Sequence, residues 1–203
     1  MSDWIAVGIA TLALLFTVGS WWWLNGRRGR LRSFAPHSFA YVGSDTALRL
    51  RFPLVLENTG PTPLVVQDIR LHFPDEPDAL LPIPWTQSRS ELRPGRDDGL
   101  ALPAVFPVAG HSAEQYFIEF SAPFPGLRLE RGSYSVQIDV HLGHRKSWTE
   151  LLTFPLFVEQ VASPEQFIAY RNAPFSPTPQ DKAKAEKSLA RLLKRLQDSQ
   201  PLE

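Results

Sequence analysis

The side chains in this sequence most able to bind a metal or move a proton are five histidines, His37, His72, His111, His141 and His144. A metal site needs ligands that converge at fixed spacing. His141 and His144 are three apart, which would converge on a helix, but HLGHRK reads as a strand end and a turn. No carboxylate pattern accompanies them, so they are expected on a surface turn. A second place for acid–base chemistry is the acid pair Asp97 and Asp98, set among Arg89, Arg93 and Arg96. No Gly-rich phosphate loop, Gly-x-Ser-x-Gly elbow or paired-carboxylate motif occurs. The chain has no cysteine, which excludes disulfides, thiolate metal sites and a cysteine nucleophile. Its formal net charge is zero, so no global field draws it to nucleic acid. The sequence implies no catalytic residue, no metal, no cofactor and no nucleic-acid partner.

The elements that would position any site begin with an apolar run. Residues 4–24, WIAVGIATLALLFTVGSWWWL, carry no charge. A helix of that length spans about 30 Å, the thickness of a bilayer core. Trp4 stands at one end and Trp21, Trp22 and Trp23 at the other. Indole has a large apolar body and one N–H donor, which suits the headgroup boundary. Arg27, Arg28, Arg30 and Arg32 follow on one side only, whereas Ser2 and Asp3 precede. Positive flanks stay in the cytoplasm, so the reading is an inner-membrane anchor, N-terminus out and domain cytoplasmic. The alternative is an extracytoplasmic domain. A cleaved secretory signal fits poorly, because the basic region before the run and the small-residue cleavage site after it are missing. Ala6, Ala10, Ala13, Thr17 and Ser20 fall within about 40° of one line on the helix. Such a small-residue seam would let two membrane helices approach closely, through self-association or with a partner.

From about Phe34 the period changes to that of strands. Leu48, Leu50, Phe52, Leu54 and Leu56 alternate with other residues, and ENTGPTP (57–63) is a turn signal. Ile69, Leu71 and Phe73 share one face of the next run. Tyr116, Ile118 and Phe120 alternate, as do Tyr134, Val136, Ile138, Val140 and Leu142. The turn GHRK (143–146) then leads into Trp148, Leu152, Phe154, Leu156 and Val158 as a hairpin. Short alternating strands with turn signals between them predict a mainly β protein, an antiparallel sandwich or barrel. The chain also holds 19 prolines, mostly between apolar runs, which suits strands and irregular loops. Residues 74–112 are too long for a hairpin loop. They are read as a crossover that also supplies an edge strand near Leu100 to Val108, with a functional insertion as the alternative.

ERGSYSVQIDV (130–140) resembles the E–F corner and strand F of immunoglobulin-like domains, with Gly132, Tyr134 and Val136 at the matching positions. LRLRFPLVLENTGPTPLVVQDIRL is similar to the strand–turn–strand of bacterial adhesion-type Ig-like domains, whose strand ends in Asn-x-Gly. PVAGHSAEQYFIEF (107–120) resembles their Pro-x-Gly turn before a late strand. The resemblance covers about residues 36 to 160 and implies an Ig-like β-sandwich. It further implies that the Tyr134 hydroxyl bonds back to the main chain upstream, and that binding runs through loops or a sheet edge. Inter-sheet cysteines are absent, which sets the chain apart from antibody domains.

Residues 161–178 contain three prolines and read as a linker or strap, with Phe167, Tyr170 and Phe175 able to hold it down. Thr178, Pro179 and Asp181 then form a helix start. Ala185, Leu189, Leu192, Leu193 and Leu196 share one face of an amphipathic helix, opposite Lys184, Lys187, Arg191 and Lys194. Its leucine face can dock on the β domain, on a partner helix or on an anionic membrane. The expected organisation is an anchor and basic flank (1–33), a sandwich (34–160), a linker (161–178) and an amphipathic helix (179–203). The expected function is a non-enzymatic single-pass membrane protein, a subunit or scaffold of a membrane complex, touching lipid and an unidentified protein partner. One alternative is an extracytoplasmic module binding an envelope partner or glycan. A third reading is an enzyme using acids within 74–112.

Overall fold

A computed structural model of the chain describes residues 2–44, 47–76, 81–93, 95, 98–122, 129–159, 168–173, 184, 186–189 and 191. Among the described residues, helix α1 (Ser2–Trp21) precedes eleven strands. These are β1 (Leu31–Arg32), β2 (Ser38–Ser44), β3 (Ala47–Asn58), β4 (Leu64–His72), β5 (Ile83–Arg89), β6 (Leu100–Ala101), β7 (Phe106–Val108), β8 (Ala113–Ala122), β9 (Gly132–Leu142), β10 (Thr149–Val158) and β11 (Ile168–Arg171). Every strand pairing is antiparallel. The main path runs β10-β9-β4-β5-β8-β3-β2-β11, with β1 beside β3, β6 beside β5 and β7 beside β4. The protein is therefore mainly β, as the alternation predicts.

The path curls nearly into a barrel, and β5 makes the turn. Its first residues pair with β4 (Leu71↔Ile83, Arg70↔Pro84) and its later ones with β8 (Trp85↔Phe120, Ser88↔Ile118). Pro84 sits at the switch, where a missing N–H costs least because the strand is leaving one neighbour for another. At the opposite side Asn172 stitches the two ends of the path. Its Oδ1 accepts from Phe157 N at 3.0 Å, and its Nδ2 donates to Pro155 O (3.0 Å) and Pro36 O (3.1 Å).

Inside lie the alternating residues of the long strands. Leu48, Leu50, Phe52, Leu54 and Leu56 of β3 are all buried, facing Ile118 and Phe120, Ile69 and Leu71, Val136 to Leu142, and Phe154 to Val158. Fully burying such a side chain contributes about 1.5–3 kcal/mol. Phe52 is the aromatic centre, with Phe39, Phe120 and Phe154 rings 5.6–6.3 Å away. Alternation breaks where a strand bulges. In β4 the register shifts between Val66 and Asp68, so Val66 and Ile69 both face inward across an odd interval.

Residues 74–112 differ from the expected crossover in one respect. They supply the central strand β5 as well as the short edge strands β6 and β7. Trp85 of β5 is a core residue, edge-on to Phe106 at 6.0 Å. Trp148, aligned in the sequence with the core of β10, lies before that strand and is only half-buried. Within 161–178, β11 pairs with β2 and stacks Tyr170 on Phe39 at 5.3 Å. The Tyr134 hydroxyl donates to Glu130 O (3.1 Å) and accepts from Glu130 N (2.8 Å), the upstream main-chain bond anticipated for it.

The contact pattern divides the chain at Asn172. In the second unit, Ala173–Glu203, residues 184, 186–189 and 191 are helical and exposed. Leu189 is among them; Ala185, Leu192, Leu193 and Leu196 lie outside the described residues, as do Phe167, Phe175, Thr178, Pro179 and Asp181.

Asn172→Ala would remove the side-chain acceptor of Phe157 N and the side-chain donors to Pro155 O and Pro36 O. The full chain in detergent should lose about 1–3 kcal/mol of unfolding free energy. An unchanged urea midpoint would mean that the ends of the path are held together by core packing alone.

Candidate functional site

The end of the β domain where α1 enters gathers more of the sequence-predicted residues than any other region. Beyond α1 the chain widens into a π-helical turn, Trp22–Gly26, closed by Arg27 N donating to Trp22 O at 3.1 Å. Widened turns of this kind are rare, and they re-aim the side chains that follow. Here Arg27 swings back over the Trp23 ring, 4.2 Å from its centroid. A guanidinium over an indole face is favourable and keeps both groups at one level. Tandem tryptophan and arginine are thus physically coupled.

Past Arg27 the chain is docked rather than loose. Arg30 N donates to Thr59 Oγ1 (3.1 Å), and Thr59 N and Oγ1 both donate to Arg30 O (3.1 and 3.2 Å). Leu31 and Arg32 then pair with Asn58 and Glu57 as β1. Backbones cross closely at Gly29 and Gly60. A Cβ on either would overlap the other's main chain, so both positions require glycine. Beneath the crossing lies Asn58, fully buried. Its Nδ2 donates to Thr62 O (2.8 Å) and Val108 O (3.2 Å), and its Oδ1 accepts from Gly60 N (3.0 Å). Both amide donors are used, which is what a buried amide requires. Asn58 N also reaches Ser112 O, and His111 N reaches Gly60 O, both at 2.9 Å. His111 adopts a left-handed φ of 51° in that turn. The Asn-Thr-Gly turn (58–60) and the Pro-Val-Ala-Gly turn (107–110) therefore meet, and residues 27–30, the linker between α1 and the β domain, lie over them.

Two hollows flank the linker at this end. One lies between Gly26 and Arg28 on one wall and Thr62, Val65, Gly143 and His144 on the other. The second lies between Arg30 and Leu31 and the residues His144, Arg145, Thr149 and Glu150. Burial, then the positive charges of Arg28 and Arg145, hold the His144 imidazole below its ordinary pKa.

Of the other sequence-predicted residues, Trp4, Trp21, Trp22 and Trp23 are exposed, as are Arg28, Arg30 and Arg32. Ala6, Ala10, Ala13 and Thr17 are exposed along α1, and Ser20 is half-exposed. Thr17 Oγ1 donates to Ala13 O (2.8 Å), so the hydroxyl in that seam is satisfied within its own helix. Among the described residues no three His, Asp or Glu side chains are grouped to hold a metal.

Two polar clusters form on the outer faces of the sheet; the sequence singles out Asp98 and Arg89 of the first and His72 of the second, but not Arg51, Glu119, Arg70 or Asp139. In the first, Arg51 is buried and binds Glu119 Oε2 (2.9 Å) and Asp98 Oδ2 (3.0 Å). Arg51 Nη1 also donates to Glu91 O at 2.6 Å, and Gln87 Nε2 to Glu119 Oε1. Arg89 lies 3.6 Å from Asp98 and 3.9 Å from Glu119. The cluster clamps the β5–β6 connection over β3 and β8. Of the acid pair, Asp98 is thus engaged by two arginines, and Asp97 lies outside the described residues. In the second, Asp139 accepts from Arg70 (3.0 Å) and Gln137 (2.8 Å), and its Oδ2 meets His72 Nε2 at 2.7 Å. Arg70 also stacks on Trp148 at 4.2 Å. Burial pushes the Asp139 carboxyl up, but the bonds from Gln137, Arg70 and His72 outweigh it and hold the pKa below its ordinary value. Both clusters rest on cross-strand pairs, Arg51↔Glu119 and Arg70↔Asp139. Alternation alone places these residues outward; only the pairing brings the opposite charges together.

No protein-family model matches the sequence, and no curated protein matches it. Among solved structures it is similar to a protein from Archaeoglobus fulgidus, at 11% identity over 70% of this chain and 99% of that one, with a TM-score of 0.34. A likeness of that degree carries no argument about function.

Because folding lowers the Asp139 pKa, the folded chain binds fewer protons there than the unfolded one. The cluster's contribution is full above the ordinary carboxylate range and fades as pH falls through the lower, folded value. Asp139→Asn should cost about 1–3 kcal/mol at neutral pH and flatten the loss of stability below about pH 4. Parallel stability curves for the two proteins, measured by urea unfolding across pH, would show that Asp139 titrates alike in both states.

Proposed function

We propose that this chain is a non-enzymatic single-pass membrane protein that carries an Ig-like β module next to the bilayer, as a subunit or scaffold of a membrane complex. One observation carries the reading. The helical stretch Trp4–Gly26 is 23 residues long and apolar, and none of it is buried. Ile5, Val7, Ile9, Leu12, Leu14, Leu15, Phe16 and Val18 are exposed around its whole circumference, so no face of it belongs to a protein core. Lipid is the cover that suits a helix apolar on every side.

The tryptophans and the arginine stacked on Trp23 support an interface at the helix exit, and the arginines after it support a cytoplasmic β domain. The Tyr134 main-chain bond and the meeting of the turns at 58–60 and 107–112 support the Ig-like reading. An interaction role is favoured by residues 100–105, LALPAV. They are exposed throughout, with Leu100, Leu102 and Val105 more than half open, and they begin in the short edge strand β6. An open edge with apolar residues is suited to adding a partner strand. Chemistry draws no support from Asp98, whose carboxylate is committed to Arg51 and Arg89.

The test is membrane association with topology. The full chain should stay in the pellet after alkaline carbonate, and a reporter after Glu203 should fluoresce as GFP and be silent as a periplasmic phosphatase. Release by carbonate would end the anchor reading; an active phosphatase with a dark GFP would place the domain outside.

A further inference from the structure

The turn His144-Arg145-Lys146 lies far in sequence from the anchor, yet it forms part of the same surface. Gly26, the last residue of the apolar helical stretch, shares a hollow with Gly143 and His144. Arg30 shares the adjoining one with His144 and Arg145. Gly143 N donates to Val65 O (2.8 Å) and Arg145 N to Leu142 O (2.9 Å), so the turn has a fixed shape. The docked linker holds Arg28 and Arg30 against it.

We propose that Arg28, Arg30, His144, Arg145 and Lys146 form a basic collar around the helix exit that binds the phosphates of anionic phospholipids in the adjoining leaflet. The proposal rests on the anchor reading, which puts Gly26 at headgroup depth. All five side chains are exposed, and among the described residues none makes an ion pair. Arg145 Nη1 donates only to Thr149 Oγ1 at 3.1 Å. Among the described residues the carboxylate lining the hollows is Glu150, which accepts from Thr153 Oγ1 at 3.0 Å. His144, held below its ordinary pKa by burial and then by Arg28 and Arg145, joins the collar as a neutral N–H donor, whereas Arg28, Arg30, Arg145 and Lys146 are exposed cations that repel one another. An anion relieves that repulsion. A cationic surface at headgroup level attracts acidic lipid and is screened by salt. The phosphate chemistry alone would equally suit a free phosphate ion, but the location at the helix exit favours the lipid.

The chain has no cysteine, so Ser147→Cys provides one site for a nitroxide next to Lys146. The full-length labelled protein would be reconstituted in vesicles of phosphatidylcholine alone and of an equimolar mixture with phosphatidylglycerol. The collar predicts an immobilised label in the mixed vesicles, with oxygen accessibility several-fold above that to a water-soluble nickel complex. Added salt, or Arg145→Gln with Lys146→Gln, should restore the mobile spectrum. Equal mobility in both vesicles would overturn the collar while leaving the anchor intact. Immobilisation in phosphatidylcholine on adding inorganic phosphate would also overturn it, by assigning the site to the free ion. Protein that floats with neither vesicle would overturn the anchor, and the collar with it.

Discussion

The amide of Asn58 is the constraint on which the helix-proximal end depends. Buried beneath the linker, it holds Thr62 and Val108 with its two N–H bonds and Gly60 with its carbonyl. Those bonds shape the turn after β3, and that turn receives the linker through Thr59 and the Gly29–Gly60 crossing. A buried amide left half-satisfied costs about 1–3 kcal/mol. The arrangement is therefore close to all-or-none: either the turns at 58–63 and 108–112 and the linker close together, or the amide is exposed to water.

This has a mechanical consequence. Only residues 27–29 separate the π-helical turn from the first bond to the β domain, and Gly29 is itself packed on Gly60. A flexible tether would let the domain sample many poses relative to the helix. A docked linker presents one end of it, carrying Arg28, Arg30 and the 143–146 turn, to whatever surrounds the helix exit. The outer-face clusters serve the opposite purpose. Arg51 with Glu119 and Asp98 fastens a long connection, and removing one partner of such a buried set is far costlier than its net contribution.

Much of this was legible in the sequence. The alternation of Leu48 to Leu56 placed β3 and its inward face, and the uncharged run from Trp4 to Leu24 placed the helix. The upstream bond of Tyr134 follows from the resemblance of residues 130–140 to the E–F corner of Ig-like domains, and the hydroxyl makes that bond with Glu130. What was hidden depends on neighbours distant in sequence. IPWTQSR has a proline and weak alternation because β5 changes partners midway, so Trp85 did not register as core. Arg51 and Glu119 sit at outward positions of strands whose outer face is covered by a connection from elsewhere. Trp148 follows the apolar pattern of β10 but packs on Arg70, because the register of β10 shifts between Glu150 and Leu152. Asn58 reads in the sequence as an ordinary turn residue; only the approach of the 108–112 turn and the linker buries it.

That the linker is part of the β domain is the claim on which the account stands. Amide hydrogen exchange of the full chain in lipid nanodiscs tests it at single residues. Arg30 and Thr59, whose N–H groups bond across the crossing, and Gly60, bonded to the Asn58 carbonyl, should exchange slowly, together with the amides of β3, and should lose that protection together when Asn58 is replaced by alanine. Exchange at Arg30, Thr59 and Gly60 as fast as in an unstructured peptide, while β3 stays protected, would show a free tether and contradict the account.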